Sequence, residues 1–161
     1  MNQAALRLRD AGPRDVPLVA RFVRDLAEYE RLGHLAIGTE AQFATLLFGE
    51  APRAHALIAE RQGRAVGFAL WYFAVSTFAA RTKLHVEDVF VAPEARGGGI
   101  GRAIFGELAR RAAAAGSVSM EWSVLDWNAP SIAFYRSIGA TPREGWTTQR
   151  LTGAALAALA G

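Results

Sequence analysis

Two short stretches of this sequence carry residue types that can do chemistry. Residues 93–102 read Pro-Glu-Ala-Arg-Gly-Gly-Gly-Ile-Gly-Arg. Glycines at 97, 98, 99 and 101 let a backbone turn tightly and aim successive N–H groups at one ligand. A helix expected to begin there adds unpaired amides and a positive dipole end, so the segment suits phosphate. A simple helix cap needs one such residue, not four. Two common nucleotide loops do not fit. A Walker A loop needs Lys and then Ser or Thr after its last glycine, where Arg102 and Ala103 stand. A G-x-G-x-x-G motif counted from Gly97 or Gly99 meets Arg102 or Ile104 in place of its third glycine. The pattern that fits is Arg-x-x-Gly-x-Gly, supplied by Arg96, Gly99 and Gly101.

The second stretch is Glu87-Asp88, set in the otherwise apolar run 84–91. A protonated alkylamine, with a pKa of about 10.4, must lose a proton before its nitrogen attacks. A carboxylate in a partly desolvated cleft accepts that proton. Regular alternation sends neighbouring side chains to opposite faces, so one of the two reaches a given cleft unless a bulge intervenes. Paired acids also mark strand ends and structural ion pairs, and for isolated acids that is the better reading.

The elements around these stretches follow from periodicity. Residues 6–9 predict a short strand. Asp15 precedes Val16, Val19, Phe22, Val23 and Leu26, whose spacing of three and four predicts an amphipathic helix to about Arg31. Thr39 with Gln42 forms a capping box opening a helix through Leu47. Residues 54–60 and 64–74 predict a hairpin about the turn at 61–63. Residues 84–91 are a third strand, stopped at Pro93. Ile100, Ala103, Ile104, Leu108 and Ala112 line one face of the helix after the glycines, with Gly116 as its stop. Residues 119–125 predict a strand, 131–138 a short helix ended by Gly139, and 147–151 a last strand before a short C-terminal helix. The order implies an α/β (α+β) sandwich with one central sheet.

Composition bounds the rest. A chain of 161 residues, 52% hydrophobic and 20% charged, fits one folded domain spanning 1–161. It has no cysteine, which removes disulfides and a thiol nucleophile, and His34, His55 and His85 lack metal-ligand spacing. The net charge of +3 comes from arginines spread along the chain, Lys83 being the single lysine. That is a solvated surface rather than a nucleic-acid footprint. No apolar run reaches membrane-spanning length and no signal-peptide layout opens the chain, so a cytoplasmic protein with no metal is expected.

On its Arg-x-x-Gly-x-Gly segment, placed between a strand and a helix past mid-chain, the sequence resembles the GNAT superfamily of N-acetyltransferases. Leu26-Ala27-Glu28-Tyr29-Glu30, residues 67–73, 86–91, 124–128 and 132–135, and Glu144-Gly145-Trp146 are similar to the diamine (spermidine/spermine) acetyltransferase subgroup. Ser76-Thr77-Phe78 and Arg81-Thr82 are closer to its thialysine N-ε-acetyltransferase branch. Polyamine enzymes carry an acid near Thr77 that is missing here, which speaks against spermidine and spermine.

The resemblance implies a central, mixed, mostly antiparallel sheet with helices on both faces. It implies acetyl transfer from acetyl-coenzyme A to a primary amine by direct attack in a ternary complex. Cofactor contacts would come from Val89, Phe90, Val91, Arg96, Gly97, Gly98, Gly99, Ile100, Gly101, Arg102, Asn128, Pro130, Ser131 and Tyr135. Glu87 would receive the amine's proton, with Asp88 supporting the pocket, and Tyr135 would protonate the leaving thiolate. Its plainer reading is core packing with Phe134 and Ile138. Tyr29, Glu30, Glu87, Asp88, Glu121, Trp122, Ser123, Trp127, Glu144 and Trp146 match positions around the acceptor, where acids and aromatic walls suit a cationic chain. Core packing is nearly as good a reading of Trp127. His85 stands where tyrosine is usual. A homodimer is implied, with residues 154–159 at its interface or covering the chain's own sheet. The acceptor could instead be a protein N-terminus or lysine, and a non-catalytic acyl-coenzyme A sensor is the alternative from another class; thiol release across a panel of amines separates them.

Overall fold

The computed structural model describes residues 5–161. They group into two compact units, the first ending at Leu125 and the second running from Asp126 to Gly161.

The first unit is built on one sheet of five strands in the order β1–β2–β3–β4–β5: Arg7–Asp10, His55–Arg61, Arg64–Ser76, Arg81–Val91 and Met120–Glu121. The first four pair antiparallel and β5 joins β4 in parallel. Helices cover both faces, as the resemblance implies. On one face α1 (Val16–Tyr29) and α2 (Glu40–Phe48) bury Val19, Phe22 and Leu47 against Ile58, Phe68, Leu70 and Phe90. On the other, α3 (Ile100–Ala114) lays Ile100, Ile104, Leu108 and Ala112 over Leu57, Ala69, Trp71, Leu84 and Val86. Alternation along β2, β3 and β4 divides these cores, since successive side chains leave a strand on opposite sides. The capping box expected at Thr39 is present: the Gln42 amide donates to Thr39 Oγ1 at 3.2 Å and the Thr39 amide to Gln42 Oε1 at 2.9 Å.

The second unit contains α4 (Ala129–Ser137) and α5 (Gly153–Ala160). Two sequence expectations need correction. The strand expected over 119–125 shrinks to Met120–Glu121, and no strand forms over 147–151. A strand persists where a neighbour takes its backbone groups. β5 meets β4 only through Leu84↔Met120 and His85↔Glu121, and no strand pairs with 147–151 among the described residues.

Candidate active site

The register of β3 on β4 decides what the acids can do. Leu70 stands opposite Asp88 and Trp71 opposite Val86, so Glu87 is the extra residue of a β-bulge. Leu70 belongs to the core under α1 and α2, which sets Asp88 on that face. His85 pairs with Tyr72 of the same face, and its Nε2 lies 3.5 Å from Glu87 Oε2. The bulge therefore brings both carboxylates to one side, the exception to strict alternation. Glu30, the C-cap of α1, adds a third acid.

Electrostatics follow from this crowding. Burial, then Glu87, then Glu30 push the Asp88 carboxyl from 3.8 up to about 6. Burial also raises Glu30. Removing water and adding like charges both disfavour the ionised form, leaving Asp88 a far better proton acceptor near neutrality than an ordinary aspartate. Glu87 itself is more than half exposed.

Beyond His85 the other edge of β4 has no strand partner among the described residues. Backbone groups of Val89 and Phe90 lie on this open stretch. The Val91 carbonyl accepts a bond from Arg96 Nε at 3.0 Å. Arg96 also stacks on Tyr29 at 4.7 Å and lies 5.7 Å from the Phe90 ring centre. It thus ties the glycine loop to β4 and to the end of α1.

The loop itself is open. Residues 96–99 are exposed, and no atom stands within 4 Å of where a Cβ would sit on Gly97 or Gly99. Both have positive φ, 77° and 75°, a conformation that side chains resist. Gly99 caps α3, and the amides of residues 97–101 donate to no group among the described residues. A fan of unused N–H groups at a helix N-terminus is an anion cradle. Ile100 anchors it in the core, and Arg102 occupies the first turn of α3.

Other expected residues take structural places. Glu121 accepts from Lys83 Nζ at 2.9 Å and from Ser119 Oγ at 3.1 Å. Trp122 packs edge-on against Phe105 of α3 at 4.9 Å, away from the acids. Ser123 is exposed. Within the second unit, buried Asn128 caps α4 by accepting from the Ser131 amide at 3.3 Å, and Pro130 lies in the first helical turn. Tyr135 sits on α4 with its ring 5.6 Å from Phe134. Trp127 and Trp146 are exposed, Trp146 lying under Arg143 at 4.2 Å, and Glu144 is exposed. Sequence reasoning missed Lys83 as the partner of Glu121 and Tyr72 as the ring against His85. The lone lysine was a signal for the first; strand pairing alone reveals the second.

Residues 21–140 match the model of the acetyltransferase (GNAT) family. This chain belongs to the GNAT family. The acetyltransferase is 37% identical to the mouse thialysine N-ε-acetyltransferase over 98% of its own length and 99% of the relative's. It is 27% identical to an L-ornithine N5-acetyltransferase of Arabidopsis thaliana, over 95% and 87% of the two chains. An integron cassette protein from V. cholerae shares its fold with a TM-score of 0.80 at 25% identity, covering 96% of this chain and 97% of that one.

Proposed function

We propose that this acetyltransferase moves the acetyl group of acetyl-coenzyme A onto the terminal amine of a small cationic acceptor of the lysine, thialysine or ornithine type. The observation that carries the reading is the bulge at Glu87, which brings Glu87 and Asp88 to one face, where Glu30 at the end of α1 adds like charge. Such a cluster attracts an ammonium group and holds a carboxylate poised to take its proton. The names of the relatives supply the acceptor class.

Bound acetyl-coenzyme A would supply an activated thioester carbonyl. The open amides of residues 97–101 suit its diphosphate, and the unpaired β4 edge at Val89 and Phe90 suits its amide-bearing arm as an added strand would. Asp88, its carboxyl raised to about 6, accepts the amine's proton, with Glu87 beside it adding to the attraction for the ammonium. This exchanges the roles that the resemblance gives the two. Tyr135 holds a hydroxyl proton for the departing sulfur, a role resting on the resemblance, as does a homodimer; the cytoplasmic location expected from the sequence belongs to the same proposal. Exposed Leu156 and Leu159 of α5 offer apolar surface for the dimer. No helix among the described residues is long and apolar enough to cross a membrane.

Thiol release from acetyl-coenzyme A tests the reading across lysine, thialysine, ornithine, spermidine and a lysine-containing peptide. The free diamino acids should turn over best, and Tyr135→Phe should slow thiol release. Release with the peptide alone would reassign the acceptor, and none with any amine would overturn the enzyme reading.

A further inference from the structure

The turn joining β2 to β3 contains Gln62 and Gly63, both at positive φ (54° and 70°), which brings Arg61 opposite Arg64. This tight hairpin fixes the backbone of Arg61 at the sheet's end. From there its side chain reaches the glycine loop, and a guanidinium nitrogen donates to the Gly98 carbonyl at 3.0 Å. The group lies so close that a Cβ on Gly98 would stand 2.7 Å from its nearest nitrogen. The guanidinium thus lies directly against Gly98.

One bond uses one of five guanidinium donors. Among the described residues Arg61 makes no other hydrogen bond and no ion pair. The loop amides at 97–101 are equally unused. An uncompensated cation and a row of idle N–H groups thus share one exposed spot. Two independent sets of donors there fit one kind of ligand, a multiply charged anion, and the guanidinium fork matches phosphate oxygens in pairs. Arginines that merely brace structure in this chain, such as Arg9 and Arg111, do so against carboxylates.

We propose that Arg61 is a cofactor-binding residue whose guanidinium completes the anion cradle of residues 97–101 and contacts the diphosphate of coenzyme A. The inference rests on the acetyl-coenzyme A reading given above. The hairpin reaches over 37 residues of sequence to bring the loop a charge that Arg96 does not offer, being engaged on Tyr29, Phe90 and the Val91 carbonyl.

Calorimetric titration of the full chain with coenzyme A and with 3′-dephospho-coenzyme A tests it. Arg61→Gln should weaken both ligands alike, by roughly tenfold, the scale of one charge-assisted hydrogen bond. Arg61→Lys should recover part of the loss, and the gap between Arg61→Gln and the unaltered protein should narrow as salt is added. A loosened loop without a lost charge contact would not give that salt dependence. The KM for the amine should stay unchanged. Undiminished affinity in Arg61→Gln overturns the inference while leaving the acetyl-coenzyme A reading intact. A loss confined to the 3′-phosphorylated ligand overturns the diphosphate contact. Failure of the unaltered protein to bind either ligand overturns the acetyl-coenzyme A reading itself.

Discussion

At the β1 edge, Asp15 and Glu60 share the guanidinium of Arg9 at 2.7 Å each; at the bulge of β4, Asp88 faces Glu87 and Glu30 instead. Both clusters border the same sheet and both are partly buried, yet Asp15 and Asp88 are shifted in opposite directions. The bonds from Arg9 hold Asp15 below its usual value, against some desolvation. Burial and like charge lift Asp88 to about 6. The first arrangement satisfies its charges and secures β1 and the start of α1. The second leaves them at odds with one another, which costs stability locally and makes Asp88 a stronger proton acceptor than an ordinary aspartate. Buried or strained charge that stability alone would not retain is a mark of a working site.

That contrast can be broken at either end. The largest expected effect is on turnover: Asp88→Asn should lower kcat by about 10²–10⁴-fold, the usual worth of a positioned general base. Arg9→Met, by contrast, should leave kcat within about twofold. It should cost about 1–3 kcal/mol of stability, read by urea denaturation, because two carboxylates lose their partner. Asp88→Asn should move stability the other way, raising it by about 1–2 kcal/mol at neutral pH after allowance for residual exposure. The sign follows from the raised pKa. Stability that Asp88 contributes below about pH 4 is lost as pH rises through about 6, so the variant's advantage should vanish in acid and be full above pH 6. Least affected should be Asp25→Ala. The exposed Arg21–Asp25 pair at 4.0 Å is worth about 0–0.5 kcal/mol by the same denaturation assay.

Much of this was legible in the residues. The spacing from Val16 to Leu26, the Thr39/Gln42 box and the glycine run gave α1, α2 and the start of α3, because each is a local signal. The bulge was not. Alternation assumes a regular pleat, and whether Glu87 or its neighbour is the extra residue depends on how β3 pairs alongside it. The choice of Glu87 as the base rested on the resemblance over 86–91, and the pairing of β3 adds that Asp88 shares its face. Arg61 was invisible because its partner lies 37 residues away across a hairpin. The strand expected over 147–151 failed because a run of strand-forming residues says nothing about an available edge.

The most direct test is the pH dependence of kcat at saturating amine and acetyl-coenzyme A. The unaltered enzyme should lose activity as pH falls through about 6. Glu87→Gln should move that limb to lower pH by relieving repulsion on Asp88, and Asp88→Asn should abolish it together with most of the turnover. An Asp88→Asn variant that kept both the rate and the acid limb would contradict the account.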